Sequence, residues 1–317
     1  MHLLTQLRRK FITSFPVKFV IRKSKKIILP GFNGIPLFDV VRFFFIQIQQ
    51  SSLNERAASI AFNLLVAMPP ACIFLFTLIP YLPIKEELEP LYELIREAIP
   101  GKQNHDPIIN FLKDFATNEQ GGLLSFGFLL ALYFSSNAMI GIMSSFNKMN
   151  YMGFSRRHVV HDRWVAIKLT LIVFLVILMS IVALVSRESV LTWLGIEDPA
   201  VRGIILNVRW IVIILLFFFT ISFIYRYAPA VHKKWKMINP GSILATFMMI
   251  VCTMGFSYYV ANFGNYNKLY GSIGTILILM LLIFFNSLVL LIGFELNVSI
   301  SSLRKLADQR KNTVSDG

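Results

Sequence analysis

The chain has 317 residues, of which 56% are hydrophobic and 15% charged, with 29 Phe and a formal charge of +14. A soluble domain carries about 25% charged residues, so this composition excludes a pair of water-soluble domains and favours one domain built for lipid. The positive charge does not point to nucleic acid, because no segment interleaves basic and aromatic residues in a binding signature. The two cysteines, Cys72 and Cys252, both lie inside apolar runs, where neither a disulfide nor a metal cluster is expected.

Residues 1–57 form a basic N-terminus in which no uninterrupted apolar core leads to a small-residue cleavage site, so no removable signal peptide is expected. Its last part, 36–56 (PLFDVVRFFFIQIQQSSLNER), sets a phenylalanine-rich stretch beside polar and basic positions and predicts a helix lying at a membrane interface. A helix needs about 20 apolar residues to cross a hydrocarbon core of roughly 30 Å. Six stretches meet that length, at 58–82, 123–146, 165–186, 205–225, 241–263 and 274–297. They predict an all-α polytopic membrane domain over 58–297, followed by a tail at 298–317.

Within the first stretch Pro69 and Pro70 remove two backbone donors near mid-helix and predict a kink or break, which either lines a cavity or bends the packing. The connection at 83–120 contains LEPLYELIREAIP and PIINFLKDFATN, which predict a small acidic helical cap. Asn239 and Pro240 supply an N-cap and a first-turn proline for the fifth stretch. At 155–163 (SRRHVVHDR), His158 and His161 stand three apart beside Asp162, too few ligands for a metal site. A basic loop meeting anionic head groups is the favoured reading, with Arg156, Arg157, Lys233 and Lys234 as candidate contacts.

Lys and Arg accumulate in cytoplasmic connections. The N-terminus, the even-numbered connections and the tail together hold 22 basic and 5 acidic residues, whereas the other connections hold 7 and 11. Both termini are therefore expected on the cytoplasmic side.

Polar groups inside a span are costly, and they mark pathways or packing contacts. The candidates are Asn63, Asn137, Asn286, Glu295 and Asn297, while intramembrane Ser and Thr are expected to bond back to their own helices or to pack between helices. No HExxH, GxSxG, P-loop or GxGxxG motif is present. No catalytic residue, cofactor or metal is expected, and the chain is not read as an enzyme.

Five features carry a resemblance: RAASIAFNLLVAMPP at 56–70, the Asn147 region after the second stretch, YAPAVHKKWKMINPGSILA at 227–245, YNKLYGSIG at 266–274 and LIGFELN at 291–297. Together they resemble the YihY/BrkB family of bacterial inner-membrane proteins over most of residues 40–300. Its most specific elements here are Tyr270, Gly271 and Ser272, and Gly293, Glu295, Leu296 and Asn297. The chain departs from the family at 282–286, which reads LIFFN where a tryptophan is common. The resemblance implies an inner-membrane transporter or envelope factor of unsettled substrate. The family's former ribonuclease label finds no support, since the chain lacks a metal-binding His/Asp motif.

The expected function is transport or lipid handling in the bacterial inner membrane, with membrane lipids, including anionic phospholipids, as partners. The alternative is a non-transporting scaffold that docks an envelope protein through its outer loop.

Overall fold

A computed structural model describes residues 22–32, 34–78, 81, 88–98, 102–117, 121–147, 157–185, 199–231, 234–263 and 272–315. Among the described residues are nine α-helices: α1 (Leu37–Gln50), α2 (Leu53–Leu78), α3 (Glu89–Ala98), α4 (Lys102–Thr117), α5 (Gly121–Asn147), α6 (Val159–Val185), α7 (Pro199–Tyr227), α8 (Pro240–Phe263) and α9 (Ser272–Ser315). Five of them, α2, α5, α6, α8 and α9, contain stretches long and apolar enough to cross a membrane. The apolar part of α7 is shorter, Ile211–Tyr227.

The six long helices close into a ring. Each packs on the next in the order α2, α5, α6, α7, α8, α9, and α9 returns to α2. The shared core includes Ile60 of α2, Met143 and Phe146 of α5, Leu169 of α6, Tyr225 of α7, Ala245 of α8 and Leu291 and Phe294 of α9. Contacts of this kind drive the association of helices that lipid already holds helical.

Several boundaries differ from the sequence expectation. The stretch at 36–56 is divided: α1 stops at Gln50, Ser51 turns to extended backbone, and α2 begins at Leu53. Arg56 therefore belongs to the first turn of the long helix. Likewise α6 begins at Val159, before the expected 165, because its first turn is polar but still helical. The last helix runs 44 residues, through the segment expected as a tail, and no Gly or Pro between 294 and 315 stops it.

The break expected at Pro69 and Pro70 does not occur. Residues 53–78 form one continuous helix with both prolines inside it. Proline removes the bond to the carbonyl four residues earlier, here those of Leu65 and Val66. The following turn is held from outside: Phe74 packs against Phe128 of α5 and Phe174 of α6, with ring centroids 5.2 and 5.6 Å away.

Two smaller pieces flank the ring. At its basic end, α1 buries Val40 against Ile300 of α9 and leaves Val41, Phe45 and Ile46 exposed, a face suited to an interface. At the opposite end α3 and α4 share a small core of Leu88, Tyr92 and Ile109, to which Phe76 of α2 adds. Burial and the nearby Glu89 raise the pKa of the Tyr92 hydroxyl.

Candidate functional site

The ring closes on an ion pair. Arg56 Nη1 donates to Glu295 Oε1 at 2.6 Å, and the two side chains are 1% and 0% exposed. Helical periodicity places Arg56 among the buried positions Leu53, Ala57 and Ile60, and Glu295 among Leu291, Phe294 and Val298. The second carboxylate oxygen, Oε2, is also buried and receives no hydrogen bond among the described residues. Glu295 thus brings a carboxylate, paired through one oxygen with Arg56, into an apolar bundle.

The helix carrying Glu295 is fixed by neighbours on both sides. Phe294 stacks on Phe146 with centroids 4.0 Å apart and rings 4° from parallel. The Tyr225 hydroxyl donates to the Leu290 carbonyl at 2.6 Å. One residue before Phe294, Gly293 lies so close to α8 that a Cβ there would stand 2.7 Å from Ala245 Cβ and 2.7 Å from the Gly241 carbonyl. At Gly241 a Cβ would fall 2.2 Å from the Gly293 carbonyl. Only paired glycines allow this approach, the small-residue packing used by membrane helices.

Asn297 sits one turn beyond Gly293 and completes the junction. Its Oδ1 accepts from Gly241 N at 2.9 Å, and its Nδ2 donates to Asn239 Oδ1 at 2.6 Å. Asn239 Oδ1 also accepts from Ser242 N at 2.8 Å, capping α8 ahead of Pro240. The two asparagines satisfy buried backbone donors at the start of α8.

The other intramembrane amides go to separate partners. Asn63 donates to the Ser59 carbonyl at 2.8 Å and packs on Gly141 of α5. Asn137 Oδ1 accepts from Arg163 Nη1, and that guanidinium lies 5.0 Å over the Tyr133 ring. Asn286 donates to the Leu282 carbonyl at 3.0 Å and meets Thr253 of α8 at 3.3 Å. A cavity of about 710 Å³ at the basic end is lined in part by Asn297 but not by Asn63, Asn137, Asn286 or Glu295. Ser136, Thr220 and Ser287 bond back to carbonyls of their own helices.

Among the expected head-group contacts, the Arg157 guanidinium donates to the carbonyls of Tyr227, Ala228 and Pro229 at 3.3, 3.2 and 2.6 Å, at the C-terminal end of α7. Burial lowers its pKa, an effect opposed by Asp162 at 3.9 Å. Lys234 stands 4.7 Å over the Tyr227 ring and lines the cavity. His158 and His161 are exposed. Arg156, Lys233, Tyr270 and Gly271 lie outside the described residues, and Ser272 opens α9.

Sequence reasoning missed Arg56, which it counted only as a topological charge. A signal was available: a lone acid within a span requires a counter-charge, and Arg56 opens the motif leading into the first apolar run.

A family model described as virulence factor BrkB matches residues 44–316, a range that holds both partners of the ion pair and every long helix of the ring. The chain belongs to the BrkB family. Among its relatives is the Bacillus subtilis protein YfkH, whose name describes it as ribonuclease-like; it is 29% identical over 261 residues, covering 81% of this chain and 93% of YfkH. The membrane protein Smlt0865 of Stenotrophomonas maltophilia, of the group designated UPF0761, is 22% identical over 265 residues; the match spans 83% of this chain and 61% of that longer relative. A UPF0761 membrane protein of Tolumonas auensis is 34% identical over 80 residues, 25% of this chain and 26% of its own length. No solved structure matches the chain. A BrkB-family protein with these long apolar helices is a multi-pass membrane protein.

Proposed function

We propose that this BrkB-family protein crosses the bacterial inner membrane six times, with both termini cytoplasmic, and serves as a non-enzymatic transporter or lipid-handling factor. The sixth crossing is assigned to α7, whose 29 residues extend about 43 Å at 1.5 Å per residue, against a hydrocarbon core of roughly 30 Å. The basic excess on one set of connections supports the orientation.

The observation that carries the functional reading is the buried Arg56–Glu295 pair. Intramembrane ionisable residues are rare, face bundle interiors and recur on substrate and ion pathways. An oxygen of Glu295 without a hydrogen bond among the described residues gives that pathway a polar group to offer. The test is reconstitution in liposomes with a panel of envelope lipids and small anions. Transfer above the protein-free rate is expected, with a marked fall in Glu295→Gln; transfer equal to protein-free vesicles across the panel overturns the reading.

The separate core of α3 and α4 favours a second reading, a scaffold whose outer cap docks an envelope protein. Deleting 83–120 discriminates between the two, since a scaffold loses partner capture and function together while a transporter retains flux.

A further inference from the structure

We infer that the cavity at the basic end of the ring is a phosphate site that holds the head group of an anionic phospholipid. The inference deepens the proposed lipid-handling function, and it rests on that reading for placing this end at the cytoplasmic leaflet. The cavity, about 710 Å³, lies between Leu29, Pro30, Gly31 and Gly34, the described residues preceding α8 and the extension of α9. Its wall is fixed: Gly31 has φ +91°, and a Cβ there would stand 2.8 Å from Pro240 Cγ, so the turn is wedged against the first residue of α8.

Among the described residues, four cations line the cavity, Lys234, Lys236, Arg304 and Lys305, with one carboxylate, Asp308. Asp308 lies 3.9 Å from Arg304 with both side chains largely exposed, a pairing too weak to cancel the field. The backbone donors that a helix start would otherwise offer an anion are already taken, Gly241 N by Asn297 and Ser242 N by Asn239. An anion here is therefore held by side chains.

The apolar part of the wall decides the source of the phosphate. Leu29 and Ile238 line the cavity and are 40% and 64% exposed, beside Trp235, whose indole N–H donates to Ser301 at 2.9 Å. A soluble anion gains nothing from such a surface, whereas a lipid lays its glycerol and acyl region along it. Trp235 also packs on Phe294, with centroids 5.5 Å apart, so one aromatic contact separates the cavity from the residue next to Glu295.

The test uses the full chain in neutral detergent, titrated with phosphatidylglycerol, phosphatidylcholine, glycerol phosphate and inorganic phosphate, with bound ligand counted by native mass spectrometry. Each cation removed near an anionic ligand is expected to weaken binding roughly fivefold, so Lys234→Gln/Lys236→Gln and Arg304→Gln/Lys305→Gln should each lose roughly twenty-five-fold for phosphatidylglycerol. The outer-cap variant Arg96→Gln/Lys113→Gln should lose nothing, and circular dichroism should be unchanged throughout. Equal lipid binding by all variants, or by both lipids, overturns the site. Inorganic or glycerol phosphate that displaces the lipid at equal concentration overturns the lipid assignment. Vesicle transfer that persists without lipid binding sinks the site and leaves the proposed function standing, while binding without transfer does the reverse.

Discussion

Arg56 and Glu295, 239 positions apart, meet at 2.6 Å where the first and last long helices of the ring join. Ionising a carboxylate or a guanidinium in an apolar bundle is strongly unfavourable unless each supplies the other's counter-charge. The pair therefore sets the register of α2 on α9, since sliding either helix by one turn would leave two buried charges apart.

The Gly241–Gly293 crossing is expected to be intolerant of a single methyl group. Gly293→Ala should destabilise the protein by about 1–3 kcal/mol, the usual effect of overpacking. Gly255→Ala on the same α8 is the control, because a Cβ there meets nothing within 4 Å. Thermal unfolding in detergent checks the contrast, and equal Tm values for the two variants would contradict the close approach.

Two intramembrane amides should differ sharply. Asn297→Ala strips a partner from the buried Gly241 N–H and should cost about 1–3 kcal/mol. Asn286 is half-buried, donates to the Leu282 carbonyl of its own helix and meets Thr253 only at 3.3–3.4 Å, so Asn286→Ala should cost no more than about 0.5–1 kcal/mol. The Tm shifts of the two variants rank them directly.

Because α2 is continuous, its prolines are not expected to act as a gate. Pro69→Ala and Pro70→Ala each restore a backbone donor and a better helix former, so Tm should hold or rise and vesicle transfer should be unchanged. Loss of transfer at constant Tm would show that the prolines serve a bend absent from this state.

Local features were legible in the sequence. A run of about 20 apolar residues is a property of one segment, so the long helices emerged near their observed positions, as did the Asn239 cap, whose partner Ser242 lies three residues away. Features made by two distant segments were not. Arg56 reads as one more basic residue until α9 is folded beside it, and Arg157 reads as a loop charge until the end of α7 arrives beneath it. The prolines misled for the same reason, since the rings of Phe128 and Phe174 that hold the following turn come from other helices.

The most direct measurement is a double-mutant cycle on the ion pair, read as thermal stability of the purified full-length protein. Arg56→Met or Glu295→Leu alone leaves one buried charge and should cost about 3–5 kcal/mol, whereas the double variant replaces both charges with apolar volume and should recover most of that loss. Single-variant losses that simply add in the double variant would contradict a direct Arg56–Glu295 partnership and, with it, the closure of the ring.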